Sequence, residues 1–423
     1  MNGENIVLGL REEWGQELPF VLCGRDRRHH LYIIGKTGTG KTTLLRNLIL
    51  QDIQAGHGVG VIDPHGDLAN EILDHMPRSR TEDLAYFNPA DVEYPVGLNL
   101  LAAVPPHARH LVASGVVSIF KGIWSEFWGP RLEYILFAAV AALLECENVT
   151  LLGLQRMLSD ERYRSWVVKQ VKDPMVRSFW INEFERYDSK FLNEAIAPIQ
   201  NKVGQLLMSP LVRNVLGQVR SKIEARFMMD NRRVFIADVS KGRLGADKAG
   251  LMGALLVTQF QLAALSRADM PEDERKDFFL YVDEFQSFAS DSFISILSEA
   301  RKYRLCLTLS HQYIDQLRPE IREAVFGNVG SLVAFRVGNR DAKVLAGEFG
   351  DSYIPQRYSG LGNHEICVKL LIHGQDCEPF FGKTLPPQST YGGKRATVIR
   401  RSRERYSTQR VDIEEKIKRW MAK

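Results

Sequence analysis

The stretch YIIGKTGTGKTTLL, which begins at Tyr32, places a glycine-rich bend between two apolar runs. Gly35 to Thr42 fits the pattern G-x-x-x-x-G-K-[ST], in which the backbone N–H groups of a bare loop wrap a phosphate. The helix expected to follow directs its positive end toward the same point. We therefore predict a nucleotide site, with Lys41 at the β- and γ-phosphates and Thr42 as a Mg²⁺ ligand. The loop residues are Gly35, Lys36, Thr37, Gly38, Thr39, Gly40, Lys41, Thr42 and Thr43.

The alternative is an ordinary glycine turn in which Lys41 is merely exposed. Such a turn does not explain why the motif lies between an apolar strand-like run, Leu31 to Ile34, and an apolar helical pattern that continues to Gln54.

A phosphate-binding loop also needs an acid at the end of another strand to hold Mg²⁺. Asp63 ends VGVID, Asp238 ends VFIAD and Asp283 ends FFLYVD, and only Asp283 is followed by a second acid, Glu284. We expect Asp283 to act on the metal and Glu284 to orient or deprotonate the attacking water. Asp63 and Asp238 are better explained as strand-end acids that cap the next turn, and a place near the phosphates is the alternative for Asp63.

Gln312 ends a further apolar strand, LTLSHQ. Two interpretations remain open for it from the residues alone. It is either a sensor of the γ-phosphate or a strand-end amide whose hydrogen bonds are satisfied locally.

Short alternation of strand-like and helix-like runs predicts an α/β fold with a mostly parallel sheet. The strand candidates are LYII, VGVID, LAYFN, RRVFIADVS, FFLYVDEF, LCLTLS, SLVAF and ICVKLLI. Strand-like runs are missing from about residue 107 to residue 226, which predicts an inserted all-α domain. The predicted divisions are 1–30, an N-terminal segment; 31–106 with 227–386, the nucleotide-binding domain; 107–226, the insertion; and 387–423, a basic tail.

Composition excludes several classes of protein. Hydrophobic residues make up 45% of the 423, and charged residues 25%, which is typical of a globular chain. The five cysteines are odd in number and contain no C-x-x-C pair, which argues against a disulfide framework or zinc site. The longest apolar run, Tyr134 to Leu144, is shorter than the roughly 20 residues of a membrane span, so no span is expected.

The net charge is only +4, yet the last 33 residues carry eleven Lys/Arg against four Asp/Glu. This predicts a tail that contacts an anionic partner such as a DNA backbone, with Tyr391 and Tyr406 available to stack on bases. A solvated arm with no specific partner is the alternative. Lys241 and Arg243 are further candidates for DNA contact.

These motifs resemble those of type IV secretion coupling proteins of the TraG/TraD type, in the FtsK/HerA superfamily of P-loop motors. The resemblance covers most of residues 31–386, through GKTGTGKTTL, GVIDPHGDL, YFNPADVEYPVGLNLL, VFIADVSKGRLG, YVDEFQSF and ARKYRLCLTLSHQYIDQL. It implies a RecA-like domain with an all-α insertion, a hexameric ring around DNA, and ATP bound between subunits. Lys41, Thr42, Asp283, Glu284 and Gln312 align with the Walker A, Walker B and sensor positions.

Ring motors of this kind also use an arginine from the neighbouring subunit to stabilise charge on the transferred phosphoryl group. Arg336 and Arg340, in AFRVGNRD, are the candidates, and Arg301 and Arg304 compete with them. A plain surface charge is the alternative for each.

Coupling proteins usually carry a membrane anchor before the nucleotide-binding domain, whereas only thirty-four residues precede Gly35 here and none form a span. We therefore expect a cytoplasmic chain, or one held at the inner face of the membrane by a partner. Three functions compete: an ATP-driven translocase that passes DNA, preferably single-stranded, to a secretion channel or receives it from a relaxosome; a cytoplasmic duplex-DNA pump; and a nucleotide-switched adaptor that recruits secreted proteins.

Overall fold

The structure is a computed structural model that describes residues 5–124, 128–350, 354–387 and 394–422. Its thirteen described strands are β1 (Ile6–Glu13), β2 (Gln16–Leu22), β3 (Leu31–Ile34), β4 (Gly58–Asp63), β5 (Leu84–Phe87), β6 (Val234–Asp238), β7 (Phe278–Val282), β8 (Leu305–His311), β9 (Ser331–Ala334), β10 (Glu365–Lys369), β11 (Leu371–Ile372), β12 (Gln375–Asp376) and β13 (Phe380–Thr384).

The described α-helices follow the same order along the chain. They are α1 (Lys41–Gln54), α2 (Asp67–Asp74), α3 (Arg109–Ile123), α4 (Pro130–Leu143), α5 (Gly153–Ser159), α6 (Glu161–Gln170), α7 (Pro174–Ser178), α8 (Ser189–Met208), α9 (Pro210–Leu216), α10 (Ala225–Asp230), α11 (Lys241–Leu244), α12 (Ala246–Ser266), α13 (Asp291–Glu299), α14 (Pro319–Asn328), α15 (Asn339–Phe349), α16 (Pro355–Ser359), α17 (Arg395–Tyr406) and α18 (Arg410–Met421).

Eleven strands form one mixed sheet in the order β2-β1-β13-β10-β9-β3-β8-β7-β4-β6-β5. The seven strands from β9 to β5 are parallel, which confirms the predicted α/β class. Every residue of these seven strands is buried because helices cover both faces. That burial explains why each strand is a nearly continuous apolar run in the sequence.

Of the four antiparallel strands at the other edge, only β10 was expected, as the run ICVKLLI. β1 pairs with β2 and with β13, so residues 6–22 extend the main sheet and do not form a separate N-terminal segment. A two-residue turn joins β1 to β2, and both Trp14 (φ 53°) and Gly15 (φ 76°) have left-handed backbones there, as tight hairpins require. This turn was the available sequence signal.

The segment between β5 and β6 contains helices α3 to α10 and no strand among its described residues. These helices share one continuous apolar core with α12 and the sheet, so the predicted insertion packs directly on the sheet. Trp124 and Trp180 are buried in that core, whereas Trp166 is half-exposed.

One described segment, Ala246–Asp269, is long and apolar enough to cross a membrane. Within it, 72% of the most apolar window is buried inside the protein, and α12 contacts α3, α10 and α11. In this fold the segment is a core helix.

The basic tail forms two packed helices within its described part, residues 394–422. α17 lies against β5 and α2, and α18 lies against α9 of the insertion. Five of the tail's arginines pair with carboxylates of the body; the pairs are Arg395–Asp74, Arg401–Glu82, Arg403–Asp91, Arg405–Glu82 and Arg410–Glu93. Tyr406 is partly buried against the core, and Tyr391 lies outside the described residues. The solvated arm is therefore wrong for this part of the tail, and these arginines already have anionic partners.

A fully buried ion pair joins the segment between β2 and β3 to helix α1. Arg27 donates two hydrogen bonds to Asp52, at 2.7 and 2.6 Å, and a third to the hydroxyl of Tyr281 in β7. The guanidinium also stacks 3.5 Å above the ring of Phe279. The pair thus connects the segment before β3, the helix after the glycine-rich loop, and the strand that leads to Asp283.

Replacing Arg27 by methionine should lower the free energy of unfolding by about 3–5 kcal/mol, because the Asp52 carboxylate would remain buried without its cation. Chemical denaturation measures this difference. Arg28→Met is the matched control, because Arg28 pairs with Asp277 where both side chains are about a quarter exposed (26% and 23%). That control should lose less than about 1 kcal/mol, and equal losses in the two variants would contradict the argument.

Candidate nucleotide-binding site

The glycine-rich loop leaves the carboxyl end of β3, a central strand, and leads into α1. The backbone on either side holds it: Gly35 N–H donates to His311 O of β8 at 3.3 Å, and Lys36 N–H donates to Arg336 O after β9 at 2.9 Å. Helix α1 begins at Lys41, so its free N–H groups open toward the loop. The loop is therefore held by β8, by the segment after β9 and by α1, and the free N–H groups of α1 face it.

Two glycines of the loop are required by geometry. A Cβ at Gly35 would lie 2.5 Å from Cβ of Phe335, which is closer than carbon atoms approach. Gly40 has φ of +114°, and a Cβ there would also meet Nδ1 of His364 at 2.7 Å. His364 N–H donates to Thr39 O at 2.8 Å, so this histidine closes over the loop from the β10 side.

Lys41 is buried, with 8% of its surface exposed, and its ammonium group donates to the carbonyl oxygens of Gly35 and Lys36. Burial lowers the pKa of Lys41, and the carboxylates of Glu284 and Asp283 act in the opposite direction. The ammonium group thus lies inside the curve of its own loop, where a phosphate oxygen would accept the same hydrogen bonds.

Asp283 and Glu284 follow β7 directly and are 8% and 5% exposed. Burial raises the pKa of Asp283 to about 6, and the neighbouring carboxylates of Asp63 and Glu284 add to the rise. Glu284 has a left-handed backbone, with φ of 46°, and its N–H donates to Asp283 Oδ1 at 3.1 Å. The two predicted acids therefore lie together facing Lys41.

Asp63 and Asp238 differ in their surroundings. Asp63 accepts hydrogen bonds from the N–H groups of His65 and Ala69, as a cap of the turn before α2, but it also lines the same cavity as Asp283. Asp238 is bound by Tyr86, Arg243 and the N–H of Ser240, outside the cavity lining.

Gln312 lies beside Glu284, and its Nε2 donates to Glu284 Oε1 at 3.1 Å. The residue before it, His311, is buried against Tyr32, whose hydroxyl is hydrogen-bonded to Nε2. Burial lowers the pKa of His311 to about 3, with a contribution from Lys41, so the imidazole is neutral. The sensor role of Gln312 stays a prediction, but its side chain points to the acid that such a role requires.

These groups open on one cavity of about 520 Å³. Of the predicted residues, its lining includes Thr37, Gly38, Gly40, Lys41, Thr42, Thr43, Asp63, Asp283, Glu284 and Gln312. Gly35, Lys36 and Thr39 lie outside the lining; Thr39 instead donates to Lys36 O at 2.7 Å and shapes the loop. The sequence interpretation missed His65, Asp67, Leu68, Glu71 and His364. The first four follow the strand-end Asp63, which was a usable signal, whereas nothing local marks His364.

The four arginines that compete for a role between subunits have different surroundings. Arg336 donates to Leu361 O and Asn363 of its own chain, beside the loop. Arg340 has 92% of its side chain exposed and meets Asp315 only at 3.7 Å. Arg301 and Arg304 lie at the opposite edge, just before β8 begins.

Arg304 is paired with Glu272 and Asp277 and is 14% exposed, whereas Arg301 is exposed and contacts His29. Of the DNA-contact candidates, Arg243 pairs with Asp238, and Lys241 donates to the hydroxyl of Ser287 at 2.7 Å.

The residues fit a magnesium ion bound with a nucleotide. Mg²⁺ prefers carboxylate, hydroxyl and phosphate oxygens and keeps several waters. Asp283 and Thr42 line one cavity, and burial, together with the charges of Asp63 and Glu284, raises the pKa of Asp283, so a divalent cation would relieve this repulsion. The assignment of Thr42 and Asp283 to the metal stays a prediction.

The sheet order, the loop and the acid pair are those of a RecA-like P-loop NTPase fold. The family model named "Helicase HerA, central domain" matches residues 16–114. No curated protein is matched by the sequence.

Among solved structures, the fold is similar to structures of two proteins, TrwB and VirB4. The unbound bacterial conjugative coupling protein TrwBdeltaN70 is 16% identical, with a TM-score of 0.65, over 88% of each chain. TrwB in complex with ADP and Mg²⁺ is 16% identical, with a TM-score of 0.63, over 91% of this chain and 92% of that one. VirB4 of Thermoanaerobacter pseudethanolicus is 16% identical, with a TM-score of 0.58, over 91% and 97%. At these identities the likeness establishes a shared fold.

The raised pKa of Asp283 predicts a pH dependence of magnesium binding. With its pKa at about 6, this carboxyl group must lose a proton to bind a cation, so binding should strengthen as the pH rises through 6 and level off above about pH 7. Calorimetric titration of Mg²⁺ with an ATP analogue, in buffers of different ionisation enthalpy, measures both the affinity and the proton release. Asp283→Asn should bind more weakly and keep only the pH dependence that the analogue's own terminal phosphate causes. Equal wild-type affinity at about pH 5 and pH 7 would contradict the assignment.

Proposed function

We propose that this protein is an ATP-driven DNA translocase of the coupling-protein type, which delivers DNA or a DNA–protein conjugate to a type IV secretion channel. The observation that carries the proposal is the facing arrangement of Lys41 with Asp283, Glu284 and Gln312 at one cavity. Its support is the fold shared with the conjugative coupling protein TrwB over 88% of both chains. Solved TrwB structures hold a non-hydrolysable ATP analogue, or ADP with Mg²⁺, which supports ATP and Mg²⁺ as the cofactors.

In the proposed reaction the residues divide the work. Lys41 and the loop N–H groups would neutralise the phosphates, while Thr42 and Asp283 would hold Mg²⁺, which would neutralise further phosphate charge. Glu284 accepts a proton from the attacking water, and Gln312 keeps Glu284 directed toward it. Burial of Lys41, Asp283 and Glu284 strengthens their electrostatic action because little water screens it.

We further propose that the chain works as a homo-oligomeric ring, with six subunits as the expected number. An arginine that acts on a neighbour's phosphate must be exposed and must lack a strong carboxylate partner on its own subunit. Arg340 and Arg301 meet this condition better than Arg304, and Arg336 is committed to its own chain. The proposed location is cytoplasmic, or peripheral at the inner face of the membrane through a channel protein.

Single-stranded DNA is the favoured substrate, and relaxosome proteins are the expected donors. A second candidate, a cytoplasmic HerA-like duplex-DNA pump, is favoured by the match of residues 16–114 to the HerA central domain. A nucleotide-switched adaptor is the third candidate; an adaptor needs no water-activating acid, so the buried Glu284 favours an enzyme over it.

The test is ATP hydrolysis without DNA, with single-stranded DNA and with duplex DNA. We expect stimulation by DNA, greater with single strands, and loss of hydrolysis by about two to four orders of magnitude in Glu284→Gln with ATP binding retained. Preference for duplex would favour the pump. If ATP binds but DNA changes nothing at any protein concentration, the translocase proposal fails and the adaptor leads.

The arginine that acts between subunits can be identified by mixing inactive variants. Arg340→Ala and Lys41→Ala should each lose hydrolysis, the former by about 10³-fold or more. Mixed one to one, they should recover activity, because roughly a quarter of sites would then combine an intact Lys41 with a neighbour's intact arginine.

Arg301→Ala goes through the same mixture, as the second exposed candidate. Arg336→Ala is the matched control, because a residue that acts within its own subunit cannot be restored by a Lys41→Ala partner. No recovery with either Arg340→Ala or Arg301→Ala would rule out both as the arginine acting in trans.

A further inference from the structure

Both oxygens of the Glu284 carboxylate accept hydrogen bonds from glutamine amides. Gln286 Nε2 donates to Oε2 at 2.6 Å, and Gln312 Nε2 donates to Oε1 at 3.1 Å. The reverse orientation of the Gln286 amide would put its own oxygen against the carboxylate, so the donor orientation is the favourable one. Glu284 is thereby fixed in direction from two sides.

The backbone creates the contact with Gln286. Glu284 takes a left-handed backbone conformation, with φ of 46° and ψ of 48°, which residues other than glycine and asparagine rarely adopt. The chain reverses there into a single turn over Phe285–Ser287, closed by Ser287 N–H donating to Glu284 O at 2.9 Å. This reversal brings the side chain two residues further along back onto the acid.

The first residue of this turn is held by apolar packing, and its last residue is hydrogen-bonded to another element. Phe285 is fully buried and stacks on Phe293, with ring centres 5.6 Å apart. Ser287 accepts a hydrogen bond from Lys241 of α11, the segment that follows β6. The amide oxygen of Gln286 is buried without a partner among the described residues, so this amide is held through the bond that its nitrogen donates to Glu284.

We propose that Gln286 is a positioning residue that restrains Glu284 until the turn moves. The inference rests on the proposed ATPase function. While Gln286 holds Oε2 and Gln312 holds Oε1, both oxygens of the carboxylate are engaged, which hinders acceptance of a proton from water. Release of Gln286 leaves Glu284 on Gln312 alone, at the end of β8, where the sensor side chain directs it. Lys241 supplies the connection through which α11 acts on the turn.

The test is steady-state ATP hydrolysis by Gln286→Met, which keeps the length of the side chain and removes the amide donor. Without DNA we expect kcat to rise about fivefold with KM for ATP unchanged, the effect of losing one ordinary hydrogen bond from the resting state. The ratio of DNA-stimulated to basal rates should fall by the same factor. Gln259→Met is the control: Gln259 is a half-buried glutamine in α12 that donates to Ile223 O at 3.3 Å, away from the cavity, and this variant should leave both constants unchanged.

The outcomes separate this inference from the function on which it rests. A wild-type rate that does not depend on Lys41 overturns the proposed function and this inference with it. A Lys41-dependent wild-type rate combined with an unchanged or lower kcat in Gln286→Met overturns the inference alone, since Gln286 would then be idle or would support Glu284. Thermal unfolding of each variant establishes that the compared proteins are folded.

Discussion

The site depends on holding four charged groups out of water at one edge of the sheet. Lys41, Asp63, Asp283 and Glu284 are 8%, 0%, 8% and 5% exposed, so three carboxyl groups share one ammonium group in a poorly solvated space. Buried like charges are costly unless a proton or a cation compensates them. Burial raises the pKa of Asp283 to about 6, so a proton relieves this repulsion only below about pH 6. A divalent cation that arrives with a nucleotide would supply the missing charge, which makes ligand binding and electrostatic relief the same event.

The packing around this edge determines what can move. Lys41 is bound to the loop carbonyls of Gly35 and Lys36, and Glu284 is bound to two glutamines. Exchange of such hydrogen bonds for bonds to phosphate or water costs little net free energy, because one partner replaces another. The neighbouring apolar contacts are different: Phe335 packs against Gly35 and leaves no room for a methyl group. The polar partners can therefore be exchanged while the loop backbone keeps its shape.

Sequence patterns predicted the parts of the fold whose cause is local. Strands β3 to β9 are apolar along their length because both faces are covered, and the glycine spacing reports the close approach of the loop to Phe335. β2 was missed because most of it faces water and its composition is mixed; only the Trp14–Gly15 turn marked it. The contact of Gln286 with Glu284 depends on a backbone reversal, and the contact of His364 joins the loop to a residue more than three hundred positions away. No sequence motif therefore contains either contact.

The tail shows why a charge count alone does not identify a DNA-binding surface. Its arginines pair with carboxylates far away in the sequence; Arg403, for example, pairs with Asp91, 312 positions before it. A phosphate that binds these arginines competes with the carboxylates. Lys241 is held less strongly, because its hydrogen-bond partner is the neutral hydroxyl of Ser287. If a DNA phosphate attracted Lys241, the lysine would lose only its hydrogen bond to Ser287, and the turn next to Glu284 would be released. In such a chain, a basic residue is more readily available to a new anion when its present partner is uncharged, as that of Lys241 is.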